Sequence, residues 1–202
     1  MKLYYAPGAC SLAVHIALRE IAIAFELERV DLATHTLASG ADYREVSPRG
    51  YVPLLELDDG SRHTEAAALL QYVADLDPAQ RLIGGVRSAR RADIVEWLTF
   101  VGTELHKTFS PWLWHKETAD ATRAAARDKL ALRFAELDQR LETREYLAGD
   151  FSVADAYAFT IVSWSNFLGV ALKSYPHLRA YLARVAARPR VHEALRAEGV
   201  VK

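Results

Sequence analysis

The 202-residue chain has a single cysteine, Cys10, so no internal disulfide framework, CxxC motif or multi-cysteine metal cluster can form. Charge excess is also missing. Lys and Arg number 25 against 26 Asp and Glu, a net of −1, which gives no electrostatic grip on nucleic acid or on an acidic membrane surface. No apolar run reaches membrane-spanning length, and no basic stretch followed by an apolar core opens the sequence. Repeats and low-complexity tracts are absent. His15 lies in an apolar helical stretch and reads as a satisfied core or interface histidine. His35, His63, His115, His177 and His192 have no ligand spacing, so no metal site is expected. These absences leave a soluble protein of a reducing compartment, cytoplasmic by default.

What is present suffices for a real core: 51% of the residues are hydrophobic, enough for one large or two small domains. Strand and helix signals mix over residues 1–78. Lys2 to Tyr5 predicts a short strand, and Pro7-Gly8-Ala9 a turn. Cys10 to Ile23 predicts a helix packed on a sheet, Phe25 to Leu32 a second strand, and Asp42 to Val46 one or two helical turns. Asp77-Pro78 ends this domain, and residues 79–87, with Gly84-Gly85, form a linker. Residues 88–202 then read as all helix.

In that second part, one long helix is expected from Ser88 to about His115 and another from Ala119 to Arg144. Ser152-Val153-Ala154-Asp155 is a capping box, opening an almost wholly apolar helix that suits the buried centre of the domain. Shorter helices are expected over Leu178–Val185 and Val191–Leu195. Trp97, Trp112, Trp114, Trp164, Phe109 and Tyr157 can line an apolar pocket, although helical spacing also explains them as core.

The stretch from Arg49 to Tyr72 carries the recognition chemistry. Pro53 stands before the apolar run Leu54 to Leu57 and suits a strand start or a cis turn; a cis bond would leave Val52 with its N–H and C=O unpaired by the sheet. Asp59-Gly60 is a hairpin signal. Thr64 is placed as the N-cap of a helix with Glu65 in its first turn, where free N–H groups hold a carboxylate. A small peptide with a free α-amino-acid end satisfies both devices: strand pairing at Val52 and an anion seat at Glu65-Ala66.

Cys10 follows a Pro-Gly turn and opens a helix, a setting that favours thiolate, although a lone cysteine also serves as a small buried hydrophobe. His106 and Lys107 are neighbours in a helix, about 100° apart. Together they can rim one cleft, the histidine near its ordinary pKa and the lysine as a cation, or simply belong to a solvated face.

Taken together, Met1-Lys2-Leu3-Tyr4-Tyr5 with Pro7 to Leu12, Gly50-Tyr51-Val52-Pro53-Leu54-Leu55, Thr64-Glu65-Ala66, Glu104-Leu105-His106-Lys107 with Ser110-Pro111, and Phe151 to Tyr157 resemble the glutathione S-transferase family, specifically its bacterial beta class. The resemblance implies a thioredoxin-like α/β N-terminal domain, an all-α C-terminal domain, a homodimer, and glutathione as co-substrate in the cleft between the domains, with no other cofactor. It implies that Pro53 is cis and that Val52, beside Tyr51, pairs with the cysteinyl backbone of glutathione. Glu65 and Ala66 would hold the γ-glutamyl end, with the partner subunit's Glu104 near its amine. Cys10, His106 and Lys107 would surround the sulfur and glycyl end. Two departures stand out: alanine replaces a common serine at Ala66, and His35 lies where a lysine often holds the glycyl carboxylate. The implied reaction is attack of the glutathione thiolate on a hydrophobic electrophile, with thiol transfer through Cys10 as a further activity. A non-catalytic interaction module and a dedicated dehalogenase or isomerase are the alternatives.

Overall fold

Leu3, Tyr4 and Tyr5 are buried because β1 (Lys2–Tyr5) is a central strand with a partner on each side. The computed structural model, which describes residues 1–202, pairs it parallel to β2 (Glu26–Asp31) and antiparallel to β4 (Leu54–Glu56). Two antiparallel edges, β3 (Thr36–Leu37) and β5 (Arg62–Thr64), complete the order β3-β2-β1-β4-β5. β3 has only two residues, too few to leave an alternating pattern in the sequence. The Asp59-Gly60 hairpin forms as expected: Gly60 takes φ +81 and the Asp59 carboxylate accepts the Ser61 N–H at 2.9 Å.

Helix α1 (Ser11–Glu20) follows β1, and α2 (Ala66–Asp75) follows β5. The helical turns expected at Asp42 to Val46 reduce to one 3-10 turn, Tyr43–Glu45, in which the Arg44 N–H donates to the Asp42 side chain at 2.9 Å. Thr64 is not the cap of α2. It is paired with Leu54 in β5, and Glu65 takes the cap position.

Contacts divide the chain into two units, Met1–Arg81 with Arg188–Lys202, and Leu82–Ala187. Residues 188–202, expected within the helical domain, thus group with the sheet. The reason is α8 (Pro189–Ala197), which buries Val191, Ala194 and Leu195 and packs on α1. Its start is pinned by a bidentate pair in which Arg188 Nε and Nη2 donate to Glu20 at 2.8 and 2.9 Å.

The second unit is helical. α3 (Ala89–Phe100) is capped by Ser88, whose Oγ accepts the Arg91 N–H at 3.1 Å. The single helix expected to about His115 widens instead into a π segment, Val101–His106, and ends with the short α4 (Lys107–Phe109). Ser110 is extended (φ −115°, ψ 125°), as steric conflict with the ring of a following proline dictates. α5 (Asp120–Leu141) keeps Leu130, Phe134, Leu137 and Leu141 inside and its charges outside.

α6 (Val153–Leu168) is buried at every position from Val153 to Val162 and packs against α3, the π segment and α7 (Pro176–Ala186). Each fully buried large aliphatic or aromatic side chain there contributes roughly 1.5–3 kcal/mol. The capping box closes as expected. Asp155 accepts from Ser152 N–H and Oγ, both at 2.9 Å, from Leu147 N–H at 3.0 Å and from Tyr181 Oη at 3.1 Å. Burial pushes its carboxyl up to about 6 despite these donors.

Candidate functional site

In the first unit the site grows from one loop crossing. Gly8 (φ +68) lets the chain turn sharply after β1, and Cys10 becomes the residue before α1. From there Cys10 Sγ donates to the Val52 carbonyl at 3.2 Å. The Val52–Pro53 peptide is cis, as expected. As expected, neither polar group of Val52 pairs in the sheet: its carbonyl is taken instead by Cys10, while no acceptor in the chain takes its N–H. The Val52 side chain anchors the loop in a buried cluster with Tyr4, Val30, Tyr43 and Leu54. Tyr43 Oη donates to the Tyr51 carbonyl at 2.9 Å. Burial holds that phenol up to about 12, so it remains a donor at any physiological pH. The Tyr51 ring is exposed.

Glu65 takes φ +70 and ψ 109, a backbone state that costs a residue with a Cβ about 1 kcal/mol or more and that clusters at ligand clamps. Its carboxylate stands in solvent, paired to Arg49 Nη1 at 3.0 Å. Behind it α2 begins at the buried Ala66, and the first N–H groups of a helix lack partners of their own. The arrangement offers an anion seat from the backbone and an exposed carboxylate for a cation, side by side. His35 also has positive φ, and its buried Nδ1 has no partner in the chain. A Cβ on Gly50 would stand 2.6 Å from that nitrogen, so only glycine fits there.

The second unit holds the other expected residues. His106 Nδ1 and Tyr157 Oη are 2.6 Å apart, and the imidazole is edge-on to Trp164, which is in turn edge-on to Trp114 and Phe109. Burial, with the Lys107 cation beside it, lowers His106 to about 4. It is therefore a neutral ring at physiological pH, not the titrating histidine expected from sequence. Lys107 is exposed. Trp112 and Trp114 remain half exposed, whereas Trp97 lies apart from this group, against Phe100 and under the Arg140 guanidinium. Glu104 is held by Arg133 Nε at 2.7 Å and Lys129 Nζ at 3.3 Å, and these cations keep its carboxyl below the usual range.

Comparison with known proteins fits this geometry. Family models for the glutathione S-transferase N-terminal and C-terminal domains match residues 8–76 and 100–189. Glutathione S-transferase GstA of Escherichia coli O157:H7 is 42% identical over 99% of this chain and 100% of its own length. The chain belongs to the glutathione S-transferase family. Among solved structures, the beta-class glutathione S-transferase of Sphingomonas chungbukensis superposes with a TM-score of 0.94 at 43% identity, covering 100% of both chains. A sphingomonad glutathione S-transferase complexed with glutathione gives 0.93 at 43% identity, again over 100% of both. The transferase thus has the thioredoxin-like and helical pair of domains, and its likeness is to the bacterial beta class.

Within the first unit the fold brings Cys10 to Val52, and Arg49 to Glu65, from positions far apart in sequence. Within the second it brings Tyr157 and Trp164 to His106. The roles of Tyr43 and Arg49 left no signal in the sequence: the first shows only as an aromatic in a loop, the second as one arginine among many. No group of three or more His, Cys, Asp or Glu side chains is gathered as a metal ion requires.

Proposed function

We propose that the transferase binds glutathione on its first unit and transfers the glutathione thiolate to hydrophobic electrophiles. The N–H of Val52 pairs with the cysteinyl backbone of the tripeptide. The start of α2 takes the γ-glutamyl carboxylate, and Glu65 takes the ammonium beside it. His35 serves the glycyl carboxylate, and Tyr51 covers the peptide from solvent. The observation that carries this reading is the contact of Cys10 Sγ with the Val52 carbonyl, next to an N–H that no group of the chain uses. A cysteinyl residue paired at Val52 places its own sulfur beside that of Cys10.

In the conjugation step the glutathione sulfur forms a bond to the electrophilic carbon. The leaving group, halide for an aryl halide, departs with the bonding pair, and the thiol proton goes to solvent. Lowering a thiol pKa from about 9 toward 7 raises the thiolate fraction at neutral pH many-fold. His106, neutral and set among Tyr157 and Trp164, and the exposed Lys107 cation belong to the same reaction, the first as a polar edge for the substrate and the second as a counter-charge. Glu104 of the partner subunit extends the ammonium site in a homodimer, and the enzyme works in the cytoplasm with no cofactor beyond its co-substrate. A second activity follows from Cys10: its thiolate attacks a glutathione mixed disulfide, releases the substrate thiolate and is itself glutathionylated, and a second glutathione thiolate then frees it as glutathione disulfide.

Cys10→Ala tests the assignment. Conjugation of an aromatic halide is expected to persist in part, and disulfide reduction to vanish with the glutathione adduct seen by intact mass. Disulfide reduction at the wild-type rate in Cys10→Ala contradicts the role given to Cys10.

A further inference from the structure

Just beyond the end of α8, the chain reaches the turn that carries Cys10. The Glu198 side chain is fully buried; its Oε2 accepts the Gly8 N–H at 2.9 Å and its Oε1 lies 2.8 Å from His15 Nδ1. Arg19 fixes the far side of the imidazole, donating from Nε to His15 Nε2 at 2.8 Å. A guanidinium can only donate, so Nε2 accepts and the ring proton stands on Nδ1, directed at Glu198. Both carboxylate oxygens therefore accept. Gly8 is two residues before Cys10, and the turn closes where Ala9 N–H meets the Ala6 carbonyl at 3.0 Å.

We infer that Glu198 is a positioning residue for Cys10: through the Gly8 N–H it fixes the turn that sets Sγ over the Val52 carbonyl. The consequence for glutathione rests on the reading of Cys10 given above. The need for a carboxylate follows from the hydrogen bonds. A glutamine offers one acceptor and one amino group, so either Gly8 N–H or His15 Nδ1–H would face a second donor in a buried place. The imidazole cannot relieve this by changing tautomer, because Arg19 occupies its other nitrogen. The turn has to move.

Cys10 is the only cysteine, so iodoacetamide alkylation followed by intact mass reads its thiol alone. Glu198→Gln is expected to change the alkylation rate at neutral pH by about threefold or more, since thiol reactivity follows the local field and exposure. Glu198→Asp keeps two acceptors but on an arm too short to reach both partners, so its rate should fall between those of Glu198→Gln and the wild type. Arg188→Leu, which loosens the other end of α8 without touching Gly8, should alkylate as the wild type does even where its melting temperature falls. Equal rates in Glu198→Gln and the wild type overturn the proposal. So does the same change in Glu198→Gln and Arg188→Leu, because loosening of α8 would then explain it. Should Glu198→Gln fail to fold, Glu198→Asp is read instead, since its shorter arm cannot span both partners, and a wild-type rate there is equally fatal. Added glutathione should slow alkylation of the wild type; absence of that protection counts against the glutathione reading and leaves the role of Glu198 standing.

Discussion

In the α/β unit the groups proposed to meet glutathione belong largely to the backbone: the N–H of Val52, the strained Glu65 and the first turn of α2. The side chains beside them, Glu65 and Arg49, are exposed and nearly free of the fold. In the helical unit the polar groups are side chains sunk in aromatic and aliphatic surroundings, Asp155 under four donors and His106 between Tyr157 and Trp164. The difference has a physical consequence. A backbone site survives changes of surface side chains, because the fold that presents it is stabilised elsewhere. A buried polar cluster is part of that stabilisation, and removing one member strands the others.

Asp155→Ala should therefore have the largest effect. It leaves the Leu147 and Ser152 amides and two hydroxyls without their acceptor, and a loss of about 3–5 kcal/mol is expected in denaturant unfolding. A loss below about 1 kcal/mol would break the contrast.

The two buried groups of the helical unit should next show opposite pH dependence. Asp155 has a folded pKa raised to about 6 from 3.8, so the folded state holds its proton longer than the unfolded chain. Its contribution is fully present below the unfolded value and is lost as pH rises through about 6, a fall of about 3 kcal/mol relative to Asp155→Asn. His106 has a folded pKa lowered from 6.5 to about 4, so its contribution is present above 6.5 and is lost as pH falls toward 4. Urea unfolding of wild type, Asp155→Asn and His106→Phe at several pH values separates the two slopes. Slopes of the same sign contradict this account.

Glu65→Ala should be the mildest for the fold and sharp only for the ligand. Its exposed pair with Arg49 predicts a stability change within about 0.5 kcal/mol, while glutathione affinity by calorimetry drops about tenfold with loss of the ammonium partner. A variant that melts early with unchanged affinity would reverse the roles assigned to the two units.

Legibility in the sequence followed the same divide. Features written in a few consecutive residues were readable: the strand Lys2 to Tyr5, the Asp59-Gly60 hairpin and the capping box at Ser152. The local residues left Pro53 open between a strand start and a cis turn, and only the family resemblance chose cis. Thr64 was misplaced by one position, because a threonine before an acidic residue resembles a cap equally well when it ends a strand. The π segment was hidden, since Val101 to His106 keeps helical spacing while its hydrogen bonding changes. Contacts closed by the whole fold left no trace at all. Glu198 meets Gly8 from 190 positions away, and the charge state of His106 depends on rings that no local pattern ties to it.

The central claim is that a tripeptide thiol pairs with Val52, seats its α-amino-acid end at Glu65 and Ala66, and brings its sulfur to Cys10. A crystal of the protein soaked in glutathione tests this most directly. Density for the tripeptide antiparallel to Val52, with its sulfur within about 4 Å of Cys10 Sγ, is the predicted result. Glutathione bound elsewhere, or an empty Val52 edge at saturating concentration, would contradict it.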